Sequence, residues 1–65
     1  MNIKKIREKL HYTQLEFAQL IGVHISAVNF WEMKKFKPSP KHTRKIIELL
    51  EAKGFKESDF LDNSN

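Results

Sequence analysis

The sequence predicts an all-α fold, a compact bundle of four to five short helices. Apolar residues recur at intervals of three and four in successive segments, and capping residues and glycines separate those segments. No segment alternates apolar and polar residues as a half-buried strand does. With 65 residues the chain forms one small domain, predicted to span residues 1–61, followed by a polar tail at residues 62–65.

The first two helices are predicted from an apolar stripe and a capping pattern. The stripe of the first helix consists of Ile3, Ile6 and Leu10. The second helix begins at about Gln14, because Thr13 and Glu16 have the spacing of a capping box. Gly22 ends this helix, since glycine readily adopts the left-handed conformation that follows many helices.

The third helix is predicted at about residues 24–33 and the fourth at about residues 40–53. The buried face of the third helix is formed by Val23, Ala27, Val28 and Trp31. Ser39 followed by Pro40 has the pattern of an N-cap and a first helical residue, and Gly54 ends the fourth helix. Trp31 is interpreted as a core residue because it lies on this buried face.

Helices two and three, joined at Gly22, make a helix-turn-helix over residues 13–33, whose second helix has the right width for the DNA major groove. The sequence resembles the helix-turn-helix domain of the phage repressor and Cro type, the Xre family, over roughly residues 3–53. The residues that match the family pattern are Phe17, Ala18, Ile21, Gly22, Val23, Val28, Trp31 and Glu32. The resemblance implies that Arg7 and Glu32 form a buried ion pair. Lys34 departs from the pattern, because the family usually has glycine there.

Charge is distributed unevenly along the chain. Residues 1–45 hold ten of the twelve Lys and Arg and three of the eight acidic residues, which gives +7, and the remaining residues carry −3. Phosphate contacts supply most sequence-independent affinity for nucleic acid, so the basic part favours DNA as a partner. The resemblance implies that the loop after the recognition helix lies along the DNA backbone. Candidate phosphate-contacting residues are Gln14, Lys34, Lys35, Lys37, Lys41 and Arg44.

The resemblance assigns base recognition to the exposed face of the recognition helix. The base-contacting candidates are His24, Ile25, Ser26, Asn29 and Phe30. Asparagine can bind an adenine edge through two hydrogen bonds, and apolar side chains pack on thymine methyl groups, so an A/T-rich site is predicted. The recognition helix lacks the Arg, Lys or Gln that many members present to bases. In an alternative interpretation, Ile25 and Phe30 are buried against the Phe36 loop or the first helix.

These observations predict a sequence-specific transcriptional regulator that binds double-stranded DNA, a repressor rather than an activator. The alternative is a protein-interaction module, antitoxin- or antirepressor-like, that binds a partner through Ile25 and Phe30. An enzyme is not expected, since the sequence has no nucleophile–base pair and no phosphate-binding glycine loop. Neither a metal nor another cofactor is expected, because the three histidines lack metal-ligand spacing.

The resemblance also implies a homodimer on a palindromic operator with half-sites one helical turn apart. The predicted interface residues are Phe55, Phe60 and Leu61. The segment at about residues 57–61 is expected to pack either on the bundle or on a second copy. The absence of cysteine and of a long apolar run predicts a soluble, cytoplasmic protein. The resemblance implies that it is nucleoid-associated and of bacterial or phage origin. Met1 and the polar tail favour a complete protein.

Overall fold

The structure, a computed structural model, describes residues 1–60, which form four α-helices and one 3-10 helix. The helices are α1 (Ile3–Lys9), α2 (Gln14–Ile21), α3 (Ile25–Glu32) and α4 (Pro40–Ala52), and the 3-10 helix is Glu57–Phe60. No strand occurs in this part of the chain, so the all-α prediction is confirmed. None of the helices within residues 1–60 is both long and apolar enough to cross a membrane. The predicted polar tail at residues 62–65 lies outside the described residues.

The helices begin where side chains cap their first backbone N–H groups. Thr13 Oγ1 accepts a hydrogen bond from the Glu16 N–H at 3.1 Å, and Glu16 Oε1 accepts one from the Thr13 N–H at 2.8 Å. This reciprocal pair is the predicted capping box. Ser39 caps α4 by accepting from the His42 N–H at 3.3 Å, with Pro40 as the first helical residue. Both helix starts were therefore correctly predicted.

All four α-helices of the described chain end in the same hydrogen-bonded turn. A residue in the left-handed conformation follows the helix, and the N–H of the next residue donates to the carbonyl five positions earlier, the Schellman motif. The left-handed residues are His11, Gly22, Lys34 and Gly54, with φ of 63°, 86°, 61° and 86°. The closing bonds are Tyr12 to Arg7 (3.1 Å), Val23 to Ala18 (2.9 Å), Lys35 to Phe30 (3.0 Å) and Phe55 to Leu50 (3.1 Å).

Lys34 thus ends α3 in the conformation that glycine would adopt at the same position. A residue with a side chain pays about 1–2 kcal/mol for this conformation. The departure from the family pattern therefore leaves the helix end in place and adds a cation there.

The core lies where α1, α2 and α3 meet α4 and the 3-10 helix. Its buried residues are Ile3, Ile6, Leu10, Phe17, Ala18, Ile21, Val28, Trp31, Ile46, Leu50 and Phe60. Trp31 is only 8% exposed, and its ring centroid lies 5.9 Å from that of His42. The interpretation of Trp31 as a core residue is confirmed. Because α3 turns Val28 and Trp31 inward, its other face remains in solvent.

The 3-10 helix packs on the core of its own chain. Phe60 is 3% exposed, its carbonyl accepts from the Asn2 N–H at 2.9 Å, and its ring meets that of Phe55 at 6.0 Å. The Lys9 ammonium lies 5.9 Å from the centre of the partly buried Phe55 ring. This corrects the placement of Phe60 at a dimer interface, because the ring has almost no surface left to offer a second chain. Leu61 lies outside the described residues.

Candidate nucleic-acid interface

An ion pair at the last residue of α3 fixes this helix against its neighbours. Glu32 Oε2 accepts from Arg7 Nε on α1 at 2.6 Å, and Oε1 accepts from Arg7 Nη2 at 3.1 Å. Gln14 Nε2, at the start of α2, donates to the same Oε1 at 3.0 Å. Arg7 Nη1 donates to the Tyr12 carbonyl at 2.9 Å. The predicted Arg7–Glu32 pair is confirmed, and one carboxylate links α1, α2 and α3.

Both members of the pair stay charged near neutral pH. Burial alone would raise the pKa of Glu32, but hydrogen bonds from Arg7 and Gln14 and the charges of Arg7 and Lys4 outweigh it and lower that pKa below its ordinary value. The hydrogen bond to Glu32 raises the pKa of Arg7, against the effect of burial. The two side chains are 14% and 6% exposed, so each charge is largely removed from water and is compensated by the other.

The exposed face of α3 brings together the five predicted base-contacting residues. They are His24, Ile25, Ser26, Asn29 and Phe30, and all of them are exposed. Ile25 and Phe30 are each 36% exposed, and the Phe30 ring meets the Phe36 ring edge-on with centroids 5.6 Å apart. The alternative in which Phe30 packs against the Phe36 loop is therefore correct in part, although both rings retain exposed surface.

His24 is the N-cap of α3, a role that the sequence did not indicate. Its Nδ1 accepts from the Ser26 N–H at 3.1 Å and lies 2.9 Å from Ser26 Oγ, whose hydroxyl donates to it. Because Nδ1 acts as an acceptor, Nε2 is the ring nitrogen that is available as a donor. The Asn29 amide makes no hydrogen bond within residues 1–60, so its donor and its acceptor are both available to a base.

The predicted phosphate-contacting cations follow α3 along the chain and onto the start of α4. They are Lys34, Lys35, Lys37, Lys41 and Arg44, and all five side chains are exposed. No acidic residue interrupts residues 33–47. The basic segment therefore begins directly after the helix that carries Asn29. Gln14 uses one of its two amide protons for Glu32, and the other remains available.

The arrangement suits binding rather than chemistry. Within residues 1–60, no three His, Asp or Glu side chains lie close enough to hold a metal ion. What the fold presents is one exposed helix face, a short turn to the preceding helix, and a run of cations beside it. These features define a helix-turn-helix DNA-binding domain.

Comparison with known proteins agrees with this class. The family described as Helix-turn-helix matches residues 3–55. An uncharacterized HTH-type transcriptional regulator of Archaeoglobus fulgidus is 39% identical over 51 residues, which cover 78% of this chain and 72% of the relative. No solved structure matches the chain with statistical significance. The chain belongs to the Cro/C1-type helix-turn-helix family, also called Xre, a family of DNA-binding regulators and not of enzymes.

Proposed function

We propose that this chain regulates transcription by placing α3 in the major groove of a double-stranded operator, as a Cro-like repressor does. The observation that carries the proposal is the available Asn29 amide on the exposed face of α3, next to the acid-free basic segment at residues 33–47. Asn29 binds an adenine through its amide oxygen and nitrogen, which favours an A/T-rich site. The protein acts in the cytoplasm on the nucleoid of a bacterial or phage-infected cell.

The cations and the helix face have different tasks in this proposal. The cations between Lys34 and Arg44 contact phosphates, which position the protein on DNA without reading its sequence. Gln14 adds a phosphate contact through its second amide proton. Because Gln14 also donates to Glu32 at the end of α3, the same side chain links the position of the reading helix to the DNA backbone.

An in vitro selection from a random duplex pool, at near-physiological salt, tests this function. Enrichment of a palindrome with half-sites about 10 base pairs apart is the expected result, since a dimer places two α3 helices in successive major grooves. A folded protein that enriches no sequence would overturn the proposal.

A second candidate function is supported by the apolar groups on the same surface. Ile25 and Phe30 are each 36% exposed, and the neighbouring Met33 and Phe36 are 52% and 64% exposed. A partner protein docked on this surface would explain why these side chains are not polar. Salt discriminates the two functions, because DNA binding weakens steeply with added salt and docking on Ile25 and Phe30 does not.

A further inference from the structure

One face of α4 is exposed along the helix and carries opposite charges at its two ends. Residues 40, 44, 47 and 51 follow one another at intervals of three and four, so they lie on one side of the helix. We call this set, Pro40, Arg44, Ile47 and Glu51, the α4 stripe. Ile47 is partly exposed and the other three are exposed. The stripe lines a shallow depression that is mainly apolar.

The charges on the stripe have no partners within the described part of the chain. Arg44 and Glu51 form no ion pair within residues 1–60, and the partly exposed Ile47 lies between them. A surface with a cation at one end, an anion at the other and an apolar centre is complementary to itself when one copy is turned end to end.

We propose that the α4 stripe binds the α4 stripe of a second copy, antiparallel, about a two-fold axis at Ile47. With a rise of about 1.5 Å per residue, Arg44 lies about 4.5 Å before Ile47 and Glu51 about 6 Å after it. An antiparallel copy therefore brings its glutamate to within about 1.5 Å of the level of Arg44 along the axis. Two Arg44–Glu51 pairs then flank one Ile47–Ile47 contact.

The charges also disfavour a parallel arrangement of the two helices. A parallel copy in register would place Arg44 beside Arg44 and Glu51 beside Glu51, and like charges in contact oppose association. The antiparallel interface uses residues that are exposed or, for Ile47, partly exposed, whereas Phe60 of the predicted interface is buried in its own chain. Arg44 acts in this interface in addition to its proposed phosphate contact.

The size of the stripe determines where the dimer forms. From Pro40 to Glu51 the stripe is about 16 Å long, and one helix face of this length buries less than the ~800 Å² per partner of a standard interface. Association in solution is therefore weak, and two adjacent half-sites on DNA strengthen it by holding the copies together. This last consequence rests on the proposed function, whereas the contact between the stripes does not.

A charge exchange across the proposed interface tests it with the full chain. Sedimentation equilibrium at low millimolar protein is expected to show self-association of the wild type, weakened about tenfold or more by Arg44→Glu and by Glu51→Arg. The double variant carries both changes and rebuilds both pairs with reversed polarity, so its dimer affinity returns to within about threefold of the wild type. Lys45→Glu makes the same charge change as Arg44→Glu, but off the stripe, and leaves association unchanged.

A monomeric wild type, or a double variant no tighter than the single ones, would overturn the interface. Far-ultraviolet circular dichroism of every variant separates loss of association from loss of fold. Binding of the wild type to a duplex with one half-site of the selected operator is measured in parallel, because it needs only one copy and does not involve the Arg44 variants. If the half-site binds and the charge exchange fails, the interface is wrong and the function stands. If the charge exchange restores the dimer and no DNA binds, the proposed function is wrong and the interface stands.

Discussion

Replacing Arg7 with methionine removes the positive charge that faces Glu32 and keeps an unbranched side chain. The Glu32 side chain is only 6% exposed, and without Arg7 it retains the single hydrogen bond from Gln14. Removing one partner from a buried ion pair costs about 3–5 kcal/mol, because the remaining charge is stranded. The cost has an upper limit, because the stranded Glu32 can take up a proton instead. For a glutamate of ordinary pKa, protonation at pH 7 costs roughly 3.5 kcal/mol.

We therefore expect Arg7→Met to lower the free energy of unfolding by about 2–3 kcal/mol at pH 7, since Gln14 offsets part of the loss. A chain of 65 residues has a total stability of about 3–10 kcal/mol. The variant thus loses a large share of the stability that holds α3 in place.

The loss depends on pH in a direction that follows from the lowered pKa of Glu32. In the wild type, the contribution of Glu32 is present above its unfolded-state pKa and disappears as the pH falls through the lower folded-state pKa. In Arg7→Met, the penalty on the stranded carboxylate declines as it becomes protonated. The difference between the two proteins is therefore largest near neutral pH. It begins to shrink above the ordinary glutamate pKa of 4.5, as the stranded carboxylate of the variant is protonated, and shrinks further below it, as Glu32 of the wild type is protonated.

Urea unfolding followed by tryptophan fluorescence measures this effect, since Trp31 is the one tryptophan of the chain and lies in the core. Lys5→Met also removes one positive charge from α1, at an exposed position, and is expected to alter stability by less than about 0.5 kcal/mol. Adding Glu32→Met to Arg7→Met removes both charges and recovers part of the loss. A loss below about 1 kcal/mol at neutral pH, or an equal loss at neutral and acidic pH, would refute the reasoning.

Four further substitutions test other parts of the structure. His11→Gly should raise the free energy of unfolding by about 0.5–1 kcal/mol, because relief of the left-handed conformation exceeds the added freedom of the unfolded chain; a urea midpoint below the wild type would contradict this. Phe60→Ala should cost about 3–5 kcal/mol and reduce the helical circular dichroism signal, and an unchanged melting temperature would remove Phe60 from the core. Asn29→Ala should change which operator bases are preferred in a repeated selection, and equal weakening on all sequences would show that Asn29 reads no base. Lys37→Ala should weaken binding to all sequences and flatten the logarithmic salt dependence by about one unit, while Lys53→Ala at the far end of α4 leaves that slope unchanged.

The parts of the fold that the sequence predicts correctly rest on interactions between near neighbours. Thr13 and Glu16 have the spacing of a capping box, and Ser39 is followed directly by Pro40, so local patterns alone indicate both helix starts. The Arg7–Glu32 pair spans 25 positions, and only the family resemblance indicated it.

The features that the sequence did not predict depend on tertiary packing or on unusual residues. Histidine is not a preferred N-cap, so the role of His24 follows only from the geometry of its ring. His11 and Lys34 adopt the left-handed conformation that glycine adopts most readily. The backbone hydrogen bond donated by the residue after each of them stabilises this helix end. The position of Phe60 depends on how the last segment meets α1 and α4, which no local pattern specifies. The roles of the exposed α3 residues in DNA binding stay predictions.

Helix α3 separates the residues that maintain the fold from those that face solvent. Val28 and Trp31 are buried, Glu32 is held by Arg7 and Gln14, and the Asn29 side chain makes no hydrogen bond within residues 1–60. A substitution at Asn29 therefore costs little stability. Successive variants at this position can all remain folded. Under the proposed function, a regulator built this way acquires a new operator by one substitution at a time, and the same position is where an engineer would begin to retarget it.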